Sequence, residues 1–198
     1  MTEDQILPQR TQSEGFLTRL RRLVADRRGV GGIEFALIAP LLISLYITSF
    51  EITIGLSVSK RVTRSAGAIA DLVTQQTSVD QAFLATTKDM TDSLFFPYTA
   101  NELSIKITGV TLDAGGNPTV AWSWNGTPSP PYPVGSPVDV PAEMRTPSSF
   151  LVRSEVSVSH ELLMFMPGAL PPSLQNITIA RQFFYRQRFG SEIACSNC

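Results

Sequence analysis

From Phe35 to Phe50 the chain reads FALIAPLLISLYITSF, where Tyr46 is the only ionisable group. Counted from Ile33 through Glu51 to Ser59, the apolar stretch would cover roughly 40 Å as a helix, more than the about 30 Å of bilayer hydrocarbon. That length restricts the options sharply. A core helix of a soluble protein carries a polar outer face, and hardly a polar residue marks one before Thr48. A cleaved secretory signal has an apolar core of roughly 7–15 residues. Here the core is far longer, and Lys60, Arg61 and Arg64 intervene before the small-residue patterns Ala66-Gly67-Ala68 and Ala68-Ile69-Ala70. The expectation is a membrane anchor.

Charge supports an orientation. The chain of 198 residues is nearly neutral, with 16 Lys+Arg against 17 Asp+Glu, but the charges are unevenly placed. Arg19, Arg21, Arg22, Arg27 and Arg28 stand before the apolar stretch, and no base follows until Lys60, Arg61 and Arg64. The excess of arginine on the N-terminal flank favours a cytoplasmic N-terminus. No basic face interleaved with aromatics extends beyond this leader, so nothing points to nucleic acid. What remains after the leader and anchor is roughly 135–140 residues, enough for one packed core.

The junction between leader and anchor holds the most specific pattern. Arg27 to Ser44 reads RRGVGGIEFALIAPLLIS, so Gly29 is followed at the fifth position by Glu34 and then by Phe35. A carboxylate at the mouth of a hydrocarbon-length run is costly and calls for a reason. One reason is generic: an acidic side chain early in a helix is favoured by the macrodipole. That accounts for the carboxylate but not for Gly29 or for the arginine leader.

The G-x-x-x-x-E-F pattern, set between a basic leader and an apolar helix, resembles the prepilin-peptidase site of type IV pilins, in the variant of the Flp/Tad pilus system. The wider stretch from Gly29 to Ala70 resembles the TadE-like family of Flp pilus assembly proteins. The matching features are Glu34-Phe35-Ala36-Leu37, Pro40, Glu51 toward the far end, and the small-residue segment RSAGAIAD. The chain length also suits this family better than its longer TadG relatives, which carry an added von Willebrand-type domain. One departure is Phe35, where the best-matched members often have tyrosine; the change from phenol to phenyl is small at an apolar position.

The resemblance implies a minor pilin or pseudopilin, not an enzyme, that helps assemble adhesive Flp pili. It implies cleavage of Gly29–Val30 by the prepilin peptidase on the cytoplasmic face, leaving Glu34 as the fifth mature residue. A glycine before the scissile bond leaves the backbone unobstructed. Glu34 then lies about 6 Å along the helix axis from the new amine of Val30, where the carboxylate of one subunit can meet the amine of the next. The implied partners are the peptidase, other Tad pilus subunits, the assembly platform and the lipid bilayer, with no cofactor. The implied location is the bacterial inner membrane, crossed once, with the N-terminus cytoplasmic, the C-terminal domain periplasmic, and incorporation into the pilus open. An uncleaved membrane-anchored assembly factor and an anchored periplasmic binding module stand as alternatives.

Two further residues of the anchor are candidates for subunit contacts. Pro40 removes one backbone hydrogen bond and favours a kink, which membrane helices also tolerate without any role. Glu51 lies about 25 Å along the helix from Glu34; the simpler expectation is a carboxylate that snorkels to water with no specific partner, the sharper one a helix–helix contact.

The remainder reads as α+β. Val62, Ala66, Ile69 and Val73 continue a helical spacing to Thr74. A second helix opens at SVDQAFLATTKDMTDSLF, with Ser78 as its expected cap. ELSIKITGVTLD and PTVAWSW alternate around the turn AGGN and predict a hairpin. Gly126 to Pro147 is a proline- and glycine-rich irregular loop. FLVRSEVSVSHEL and ITIARQFFYRQR predict two more strands, with Val152, Val156 and Val158 on one face of the first. The expected architecture is a leader over 1–29, a transmembrane helix over 30–59, and an α+β domain over 60–198, in which a helical neck packs on a small antiparallel sheet in the pilin-like manner.

No catalytic grouping, phosphate-binding glycine loop or metal spacing is present in the sequence. His160, the single histidine, is expected at a strand surface or edge, and Asp89 and Asp92 on a solvated helix face. The sequons at Asn125 and Asn176 are discounted for a bacterial protein. Cys195 and Cys198 close the chain; in a periplasmic domain a small disulfide loop is expected in preference to free thiols, zinc or a redox active site.

Overall fold

A computed structural model describes residues 21, 29–96, 98, 101–161 and 176–198. Apart from Arg21 and Gly29, the basic leader lies outside the described residues. The structure is α+β, with one long apolar N-terminal helix and a small antiparallel sheet. The chain divides into two compact units, one up to Ile47 and one from Thr48 to Cys198.

Helix α1 spans Val30–Thr74, 45 residues, and runs through Pro40 without a break. Four of its hydroxyls are satisfied within the helix. Ser44, Thr53, Ser57 and Thr63 each donate to the carbonyl four residues back, at 2.8–2.9 Å, so these polar groups need no outside partner.

In the second unit, strands β2 (Asn101–Leu112), β3 (Pro118–Trp124), β4 (Ser149–Glu161) and β5 (Asn176–Arg186) form an antiparallel sheet in the order β3-β2-β4-β5. Helix α2, Gln81–Phe95, precedes the sheet. The expected cap is corrected: Ser78 and Val79 are extended as β1 and pair in parallel with β6, Ala194–Cys195. Asp80 takes the capping place instead, and its carboxylate accepts from the Phe83 amide at 2.7 Å.

One face of the sheet carries the main core. Ile105, Ile107, Val152, Val156 and Val158 meet Val58, Val62, Ala66, Ile69 and Val73 of α1, with Leu84 and Phe95 from α2. Gly109 is required here, because a Cβ on it would stand 2.5 Å from the Trp122 ring and 2.7 Å from Phe150. Next to it the β2–β3 register slips, leaving Ala121 as an extra residue. This bulge turns Val120 to the opposite face, although it shares sequence parity with Trp122 and Trp124.

That opposite face is covered by the irregular loop. Val138 and Val140 pack on Val110, Leu112, Val120 and Leu151. The loop is pinned by Tyr132, whose backbone exchanges hydrogen bonds with the Ser123 hydroxyl. The Tyr132 hydroxyl donates to Glu155 at 3.0 Å, and its ring carries the Arg153 guanidinium 4.5 Å from its centre.

Candidate functional site

The candidate site is the exposed part of α1 and the residues at its start. Gly29 precedes the α-helix, which begins at Val30. The bond joining them therefore lies at the helix boundary. The first helical turn contains no acidic residue, which places Glu34 beyond the turn where the macrodipole is felt. The generic explanation for this carboxylate is correspondingly weakened.

From Gly29 to Phe50 no residue is buried. Leu37, Leu41 and Leu45 are 66–75% exposed, and Ile33, Phe35, Leu42, Ile43 and Tyr46 join them around the circumference. This is the part of α1 that is apolar on all sides, with a mean hydropathy of 2.0, and it is long and apolar enough to cross a membrane. Glu34 and Pro40 are both exposed on it.

Glu51 behaves differently and is the first buried residue of the helix, 6% exposed. Its Oε1 lies 3.7 Å from Nε2 of His160, too long for a hydrogen bond but within ion-pair reach when the imidazole is protonated. Two expectations are thereby corrected: Glu51 is buried and does not snorkel to water, and His160 is half-buried on an inner strand instead of standing exposed or at an edge. The physical reason is strand parity. Phe150, Val152, Val156 and Val158 all join the core that contains α1, and His160 continues that alternation to the end of β4. The signal was present in the sequence as the continuation of the valine pattern.

One of the bases after the apolar run also finds partners within the chain. Arg61 donates from its guanidinium to the Leu94 and Phe96 carbonyls, both at 2.7 Å, and lies 5.1 Å from the Tyr98 ring centre. It thereby closes the C-terminal end of α2, where free carbonyls and the dipole favour a cation. Strand β5 and the segment after it are tied to α1 by Arg181 donating to Ser59 at 3.0 Å and by the Arg188–Asp71 ion pair. Asp89 and Asp92 are exposed, as expected.

Cys195 and Cys198 are joined by a disulfide, with Cα atoms 5.7 Å apart. Among the described residues no cluster of His, Cys, Asp or Glu is arranged to hold a metal ion. A groove of about 400 Å³ beside Ser104, Lys106, Glu155, Ser157 and Gln182 brings together hydroxyl, amide and oppositely charged groups. Comparison of the chain with protein-family models, with curated proteins and with solved structures finds no match.

Proposed function

We propose that this chain is a minor pilin or pseudopilin of the TadE-like kind, acting in assembly of an Flp (Tad) pilus and its adhesion to surfaces. The observation that carries the reading is the coincidence of Gly29-x-x-x-x-Glu34-Phe35 with the start of a helix that is apolar on all sides. In this account the helix inserts in the inner membrane with the arginine leader in the cytoplasm and the sheet-bearing unit in the periplasm. The prepilin peptidase cuts Gly29–Val30. Glu34 then compensates the new Val30 amine of a neighbouring subunit, because a charge drawn into an apolar bundle needs a partner. The exposed faces around Glu34 and Pro40 contact lipid first and other pilus subunits after assembly. The second unit serves as a rigid head that the assembly platform can grip.

The test is fibre incorporation. Pili sheared from cells carrying the natural chain should contain it, whereas Glu34→Ala should be cleaved normally yet stay in the membrane fraction. Normal incorporation of Glu34→Ala removes the role assigned to the carboxylate. A chain that keeps its leader and never enters fibres identifies an uncleaved assembly factor instead.

A further inference from the structure

The last residues of the chain form a built contact with a distant helix end. Ile193 is buried, and its carbonyl accepts from the Trp122 indole at 2.7 Å, anchoring the tail in the core. Ala194 and Cys195 pair with Ser78 and Val79, and the Ser196 amide donates to the Val79 carbonyl. Beyond that point Ser196, Asn197 and Cys198 are exposed. Asn197 is nonetheless held through both its side chain and its backbone. Its Oδ1 accepts from the Gln81 amide at 2.8 Å, and its carbonyl accepts from the Gln81 side chain at 2.6 Å.

Gln81 is the first residue of α2, so this helix end is satisfied twice: by its own cap, Asp80, and by the C-terminal tail. An exposed terminal asparagine is costly to order, about 1–2 kcal/mol for its backbone alone. What restricts it here is the Cys195–Cys198 disulfide, which closes a ring around it.

We propose that this disulfide is a redox-operated clamp on the start of α2. Closed, it presents Asn197 as a second cap; opened, it releases the tail and lets the first turn of α2 fray while the sheet stays intact. Cys198 is exposed and Cys195 half-buried, so the thiolate of an incoming dithiol attacks the Cys198 sulfur. A mixed disulfide forms there, and Cys195 leaves as a thiolate and takes up a proton. The second thiol of the dithiol then resolves the mixed disulfide, and Cys198 is released and protonated in turn. The two cysteines gain two electrons and two protons, and the dithiol becomes a disulfide. Gln81 also forms one wall of a groove of about 440 Å³ with Ala85, Lys88, Trp124 and Thr127, so the clamp fixes the shape of that groove.

Hydrogen exchange read by mass spectrometry on the full chain in detergent micelles, with and without dithiothreitol, tests the clamp. Reduction should speed exchange of the amides at the start of α2 about five-fold, the factor expected for loss of one cap, and leave β2 and β4 unchanged. Asn197→Ala should produce the same acceleration in the oxidised chain. A Cys195→Ser/Cys198→Ser chain should be fast under both conditions. Equal protection of α2 in the oxidised and reduced chain overturns the clamp, as does full protection of α2 in oxidised Asn197→Ala. Acceleration spread evenly over β2 and β4 also overturns it, by making the disulfide a general staple. The outcome is independent of whether the leader is removed.

Discussion

The two parts of helix α1 differ in what their apolar residues are for. Before Glu51 the side chains are apolar all round and none is buried; after it, burial falls on a stripe of Val58, Val62, Ala66, Ile69, Ala70 and Val73. One continuous helix thus changes from a surface awaiting an apolar surrounding to a core element of its own chain. Hydrophobicity alone does not separate the two uses. The periodicity of polar residues does, since Lys60, Arg64 and Asp71 mark an outer face only in the later part.

The contrast can be tested from both sides. The largest effect on folding is expected from Ile69→Ala, which empties a fully buried site and should destabilise the second unit by roughly 2–5 kcal/mol. Leu41→Ala, made at a 70% exposed position, should change the unfolding free energy of that unit by no more than about 0.5 kcal/mol. A charge reverses the ranking. Leu41→Arg should weaken membrane insertion by about 3 kcal/mol, seen as loss from the carbonate-resistant membrane fraction, with unfolding of the second unit unchanged. Comparable destabilisation of the sheet by Leu41→Ala and Ile69→Ala would remove the distinction.

The smallest effect expected concerns a turn remote from α1. The Asp113 carboxylate accepts from the Asn117 side chain and from the Asn117 and Gly115 amides, which hold its pKa below the ordinary value of 3.8. A lowered value means that the stabilisation is complete above the ordinary pKa and is lost as pH falls through the folded one. Asp113→Ala should therefore lower the Tm slightly near neutrality, and the difference from the natural chain should shrink as pH falls below 3.8. A difference that grows on acidification would contradict this assignment.

The sequence made the elements legible where side-chain period and burial coincide. Val62, Ala66, Ile69 and Val73 are all fully buried, and the Ile105–Ile107 and Val152–Val156–Val158 alternations face α1 as their spacing implies. Less visible were contacts set by long-range pairing. Asp80 displaces Ser78 as the cap because Ser78 is drawn into a bridge with Ala194. Arg61 reads as a membrane-flanking base, yet it closes α2 because the chain returns there at Leu94 and Phe96. Glu51 and His160 are far apart in sequence, and only the register of β4 against α1 brings them together. The candidate processing site lies at the other extreme, since Gly29, Glu34 and Phe35 are local and readable without any tertiary contact.

The most direct measurement is the N-terminal sequence and intact mass of the chain recovered from membranes, with and without the prepilin peptidase. The account predicts a mature chain that begins at Val30 only when the peptidase is present, with Glu34 as its fifth residue. A chain that keeps its arginine leader in both cases would contradict it and leave α1 as a plain membrane anchor.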